Sequence, residues 1–130
     1  MNEKVIVTGG ADSVGRVIAE AFLQRGARVH ICDVRGDALR ETLAANPEMT
    51  GTLANVGDAD DVLKVIYESQ RAIGDATILV NNVGIAGPRA AIEDISDADW
   101  QQTMEVNLGG MFRLMRGVIP HRSTAAGAWR

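Results

Sequence analysis

One stretch near the start limits what this chain can fold into: Lys4-Val5-Ile6-Val7-Thr8-Gly9-Gly10-Ala11-Asp12-Ser13-Val14-Gly15. A short β-branched run leads into a turn with three glycines, and a helical pattern follows. Val5–Val7 carries no polar interruption, which suits a strand covered on both faces. After the turn, Val14, Val17, Ile18, Ala21 and Phe22 fall at i, i+3, i+4, i+7 and i+8 and predict one apolar helix face. A strand, a Gly-rich turn and a helix start bring backbone N–H groups together at a point suited to a phosphate.

Composition bounds the rest. A chain of 130 residues predicts one domain with a real core. The net charge is −4, and with no basic stripe this argues against nucleic acid as a partner. Cys32 is the single cysteine, so no intrachain disulfide can form and a reducing compartment is expected. Val5–Val7 is too short for the core of a signal peptide. No apolar run approaches the ~20 residues that span a bilayer. The expectation is a cytoplasmic protein without a membrane partner. No Cys/His cluster has metal-ligand spacing, so no metal is expected.

Strands then alternate with helices. Gly26 closes the first helix. Arg28–Asp33 reads as a second strand ending in a carboxylate, Asp37–Ala45 as a short helix, and Thr50–Val56 as a weaker third strand. Asp58 or Asp60 caps the next helix, whose apolar positions are Val62, Val65, Ile66 and Ile73, with Gly74 as its stop. Thr77–Val80 is the fourth strand and runs into Asn81-Asn82-Val83-Gly84. After a loop containing Gly87-Pro88, Ser96 or Asp97 starts a long helix. Its stripe is Trp100, Met104, Leu108, Met111, Phe112, Met115, Val118 and Ile119, and Pro120 is its expected end. This order predicts an α/β fold, a doubly wound parallel sheet of about four strands in order 3-2-1-4. A complete dinucleotide fold has six or more strands.

Four stretches also resemble motifs of the short-chain dehydrogenase/reductase family, in order, from Lys4 to about His121. Thr8-Gly9-Gly10-Ala11-Asp12-Ser13-Val14-Gly15 is similar to its T-G-x-x-x-G-x-G loop, with Ser13 at the place of the middle glycine. Asn55-Val56-Gly57-Asp58 resembles D-V-x-D, and Asn81-Asn82-Val83-Gly84 resembles N-N-A-G. Asp99-Trp100 through Val106-Asn107 resembles the helix that carries the active-site asparagine. The resemblance implies a Rossmann-like fold and hydride transfer between a nicotinamide and a carbonyl or alcohol substrate.

It also implies cofactor-binding roles for Thr8, Gly9, Ser13, Val14, Gly15, Asp33, Asn55, Val56, Asn82, Val83 and Gly84. Gly9 makes the turn, and Gly15 lets the backbone approach the pyrophosphate. Asp33 accepts from ribose hydroxyls and repels a 2′-phosphate. Asp12 adds a negative charge where NADP-preferring relatives are often basic, while the nearby Arg35 softens it. The expected cofactor is NAD, with NADP second. Asn55 holds the adenine amino group through an amide oxygen. Asn81 ties neighbouring strands, and Asn107 locally opens its helix and holds a proton-relay water. Plain structural roles stand beside these: a tight turn for the glycines, a capping carboxylate for Asp33, an exposed or capping residue for Asn107. The helix 97–119 is the expected surface for a homo-oligomer.

The family's catalytic tyrosine, the lysine that follows it and its substrate-orienting serine find no match. The only tyrosine, Tyr67, belongs to an earlier helix and has no Y-x-x-x-K pattern, and Ser123 lacks a strand context. Residues 1–121 read as a partial dinucleotide-binding domain and 122–130 as an atypical tail, expected from a truncated or frameshifted reading of a longer gene. The chain itself is then expected to be inactive. The alternatives are a non-catalytic nucleotide-binding or dimerisation module, or a non-functional gene fragment.

Overall fold

The computed structural model describes residues 2–126. Strands β1 (Lys4–Thr8), β2 (Arg28–Asp33), β3 (Thr50–Leu53) and β4 (Ile78–Val80) form one parallel sheet in the order β3-β2-β1-β4. Helices α1 (Ser13–Gln24), α2 (Gly36–Ala45) and α3 (Ala59–Ile73) alternate with them, and α4 (Asp97–Met104) and α5 (Gly110–Ala126) follow β4. The expected fold class and strand order are both observed.

Alternation along the strands sorts two cores. Val5 and Val7 of β1 join Val29 and Ile31 of β2 beneath Ala19, Leu39 and their neighbours on α1 and α2. Ile6 and Cys32 point the other way, onto Val62, Val65, Leu114 and Val118 of α3 and α5. Both faces are therefore covered, as an uninterrupted apolar strand requires. Asp58 caps α3 by accepting from the Asp60 and Asp61 N–H groups at 2.8 and 3.2 Å, and Gly74 ends it at φ 83°. Ser96 caps α4 through the Asp99 N–H.

Several expectations need correction. On α1 the buried residues are Gly15 and Ala19, while Val14, Val17 and Ala21 face solvent. The two small residues lie one turn apart and let the helix sit close to the sheet, so the large apolar residues flank that line. β3 stops at Leu53 because Ala54 makes a last bond to the Asp33 carbonyl and the chain then turns. The long helix is broken by a π segment, Glu105–Gly109, which turns the stripe so that Leu114 and Val118 are buried while Trp100, Leu108 and Phe112 are exposed. Pro120 lies inside α5. Its fixed φ is a helical value, so the helix continues at the cost of one lost hydrogen bond. α5 runs from Gly110 to Ala126, and residues 127–130 of the expected tail lie outside the described residues.

One polar chain runs through the second core. His30 is 2% exposed, and its Nδ1 and Nε2 lie 2.7 Å from Thr50 Oγ1 and 2.8 Å from Thr52 Oγ1. Thr52 donates in turn to the Glu68 carboxylate. A carboxylate only accepts, so Thr52 must receive the His30 Nε2–H, and Thr50 must donate to Nδ1. Burial pushes the His30 pKa down to about 4, against a smaller opposing pull from Glu68. Between pH 6.5 and 4 the unfolded chain therefore binds more protons than the folded one, and stability falls as pH falls through that window. The loss approaches roughly 3 kcal/mol at full extent. Urea unfolding measured across that window should show a slope that His30→Gln flattens.

Candidate functional site

The sheet changes winding direction at β1. From β1 the chain moves outward to β2 and β3, then returns to place β4 on the other side of β1. A crevice forms at the strand carboxyl ends where such a reversal occurs. Here it is a cavity of about 370 Å³, walled by residues that include Gly9, Asp33, Asn55, Val56, Asn82, Val83 and Gly84. Seven of the expected site residues thus meet on one wall. Thr8, Ser13, Val14, Gly15 and Asn107 are not on it.

Thr8 is fully buried and acts as a joint. Its hydroxyl accepts the Asn82 and Val83 N–H groups at 2.9 and 3.2 Å and donates to the Val80 carbonyl at 3.4 Å. The Asn82 amide also donates to the Gly9 carbonyl at 3.3 Å. The tie between the ends of β1 and β4 is therefore made by Asn82, one residue beyond the expected Asn81.

Gly15 is set by packing within the chain. A Cβ there would lie 2.0 Å from the Gly9 carbonyl oxygen and 2.6 Å from Asn82 Nδ2. Its first role is close contact between helix and turn. Ser13 adopts φ 48°, a left-handed conformation that favours glycine. The middle-glycine position has kept the backbone shape without the residue best suited to it. Val14 is exposed at the helix start.

Asp33 ends β2 and is nearly buried. One oxygen accepts the Ala11 N–H at 3.2 Å and the other the Arg35 N–H at 3.0 Å, so the carboxylate holds the Gly-rich turn against the β2–α2 turn. The Arg35 guanidinium pairs with Asp12 at 2.7 Å and lies 3.8 Å from Asp37. Asn55 accepts the Gly57 N–H through Oδ1 at 2.9 Å.

Asn107 sits in the π segment and grips one residue with both ends of its amide. Oδ1 accepts the Ile85 N–H at 2.7 Å, and Nδ2 donates to the Ile85 carbonyl at 2.9 Å. Ile85 lines the cavity, as do Val34, Ala54, Gln102 and Val106. Sequence reasoning missed these five. Their positions carried a signal: Val34, Ala54 and Ile85 directly adjoin Asp33, Asn55 and Gly84, and Gln102 and Val106 lie in the Asp99–Asn107 stretch.

The other singled-out groups stand apart. Burial pushes the Cys32 thiol up to about 12, so it stays protonated as a core residue. Tyr67 is exposed on α3, where its hydroxyl accepts from Arg71 at 3.0 Å. Among the described residues, no group of three His, Cys, Asp or Glu side chains could hold a metal, and no helix is long and apolar enough to cross a membrane.

Known proteins share this fold. The profile of the short chain dehydrogenase family matches residues 3–128. The chain belongs to that family. It is 35% identical over 126 residues to an L-fucose dehydrogenase of Bos taurus, covering 95% of this chain and 46% of that protein. It is 33% identical to an NAD-dependent glycerol dehydrogenase of Listeria innocua, covering 94% of this chain and 48% of that protein. Among solved structures, an L-sorbose reductase from Gluconobacter frateurii, complexed with NADPH and L-sorbose, superposes with a TM-score of 0.89 at 27% identity. That match covers 95% of this chain and 49% of the reductase. The chain spans about half the length of the curated relatives it matches. Short-chain dehydrogenases are oxidoreductases that use NAD or NADP.

The turn geometry gives opposite expectations for two substitutions. Ser13→Gly relieves a left-handed serine and should raise stability by roughly 0.5–1 kcal/mol, net of glycine's extra freedom when unfolded. Gly15→Ala places a methyl against a carbonyl and should cost more than ~2 kcal/mol. Thermal and urea melts of both variants check the pair.

Proposed function

We propose that this chain is the nucleotide-binding half of an NAD-dependent short-chain oxidoreductase, and that alone it binds the cofactor without turning substrate over. The observation that carries this reading is the cavity at the winding reversal, where Gly9, Asp33, Asn55 and the Asn82–Gly84 segment converge. These residues suit a dinucleotide. Gly9 lacks the Cβ that would crowd Asn82 and Val83. The start of α1 offers N–H groups to a pyrophosphate. Each Asp33 oxygen takes one backbone N–H and keeps a lone pair for a ribose hydroxyl. A carboxylate at that place disfavours a 2′-phosphate, which supports NAD over NADP. Asn55 Oδ1 likewise retains acceptor capacity for an adenine amino group.

A bound nicotinamide would supply hydride transfer to a carbonyl carbon or from an alcohol carbon. This chain's residues bind and orient. Thr8 and Asn82 lock the floor of the cleft, and Asn107 holds Ile85 against its mouth. Both ends of the Asn107 amide are engaged on Ile85, which fixes the position expected to carry the relay water. No residue of this sequence matches the family's serine, tyrosine and lysine. Tyr67 is paired with Arg71 and does not line the cleft. The substrate, a small carbonyl or alcohol, would meet residues of a longer relative.

NADH fluorescence titration of the chain should give saturable binding that Gly15→Ala weakens at least tenfold, with no carbonyl reduction detectable above background. Turnover by the chain alone would refute the division between binding and catalysis.

A second reading, a dimer-forming module, is favoured by the exposed face that runs from the π segment along α5. Leu108, Phe112, Met115 and Ile119 are all exposed on one stretch, with Arg116 stacked 4.8 Å from the Phe112 ring. Contiguous apolar surface of this kind favours association. Light scattering should find dimers or larger species, and Leu108→Glu with Phe112→Glu should shift them toward monomer. An unchanged mass in the double variant would remove this face as the cause.

A further inference from the structure

We propose that Asp12 tunes the choice between NAD and NADP by restraining Arg35, an effect separate from the repulsion supplied by Asp33. The proposal rests on the dinucleotide reading of the cleft and names a determinant within that same site.

Three contacts define the arrangement. Asp33 holds the Gly-rich turn and the β2–α2 turn side by side, through the Ala11 and Arg35 N–H groups. Asp12, on the first turn, and Arg35, on the second, then bridge the gap with a 2.7 Å ion pair. Asp37 draws the same guanidinium from the other side at 3.8 Å. Asp12 is held in turn, because its second oxygen accepts the Ser13 N–H at 2.8 Å where α1 begins. Arg35 thus flanks the carboxylate expected to read the adenosine ribose, yet its charge is directed to Asp12.

The two cofactors meet this arrangement differently. A ribose 2′-hydroxyl is neutral, needs only an acceptor, and leaves the pair in place. A 2′-phosphate carries close to two negative charges and would face Asp33 and Asp12 together. It gains the guanidinium only by taking Arg35 from Asp12. That exchange is within reach, because the two side chains are 55% and 56% exposed and a solvated pair of this kind is weak. Arg35 is therefore a restrained phosphate ligand, and Asp12 is the residue that restrains it. Arginine meets phosphate through two parallel N–H bonds, so its release should be felt strongly.

The test is a set of NADH and NADPH titrations on the full chain, followed by cofactor fluorescence. Asp12→Asn keeps a good N-cap while removing the charge, so the fold should persist. It should tighten NADPH binding roughly three- to fivefold and change NADH binding less than about twofold. Adding Arg35→Ala to Asp12→Asn should abolish the NADPH gain. Asp12→Ser, which also caps, should reproduce the gain if the asparagine variant proves unstable. A gain that survives in the double variant would overturn the restraint and leave only the lost charge of Asp12. An unchanged NADPH to NADH ratio in Asp12→Asn, with wild type still binding NADH, would overturn the proposal alone. Failure of the wild-type chain to bind either cofactor would instead remove the dinucleotide reading beneath it.

Discussion

The close approach of Gly15 to the Gly9 carbonyl sets the rest of the structure. Only a residue without a Cβ allows α1 to begin this near the end of β1. That proximity lets Ala19, one turn on, bury itself against the sheet. It also brings the Gly9 carbonyl within reach of the Asn82 amide, which fastens β4 to the same point. Turn, helix and returning strand share one contact region, and the cleft is the space left on its outer side.

Around that region the sheet works as a divider. Each strand sends alternate residues to two different cores, so α1 and α2 are packed independently of α3 and α5. The site draws on both sides. Asp33 braces the turns next to α2, while Val106 and Asn107 come from the segment beside α5. The cleft is wide because the helices that flank it belong to separate layers.

Much of this was legible in the sequence, and the limits have physical causes. The strands and their order followed from β-branched runs and from the alternation with helices, both local signals. Gly74, Asp58 and Ser96 acted as stops and caps where their side-chain chemistry requires. The buried face of α1 was misjudged because a hydrophobic pattern counts large residues, whereas a helix lying very close to a sheet buries Gly15 and Ala19. The strand tie was assigned to Asn81, one residue early, because register is set by contact with Thr8 across the sheet. Pro120 was read as an end because proline usually is one. Five cavity residues were missed because the wall is assembled from five distant segments, and a motif marks the residues that carry its chemistry rather than the neighbours, such as Ala54, Ile85 and Val106, that share the wall.

The π segment from Glu105 to Gly109 has a meaning for chain length as well as for shape. A π turn carries one residue more than an α turn. That extra residue acts as a phase shift between α4 and α5, since each added residue rotates a helix face by about 100°. Deleting any one residue of the segment would restore a continuous α ladder and turn the two helices against each other by that angle. Leu114 and Val118 could then face the core only if Trp100 and Gln102 moved, and Asn107 would leave Ile85. The spacing between the cleft wall and the second core is thus stored as a count of residues, and it is intolerant of a single deletion even where the side chains themselves are replaceable.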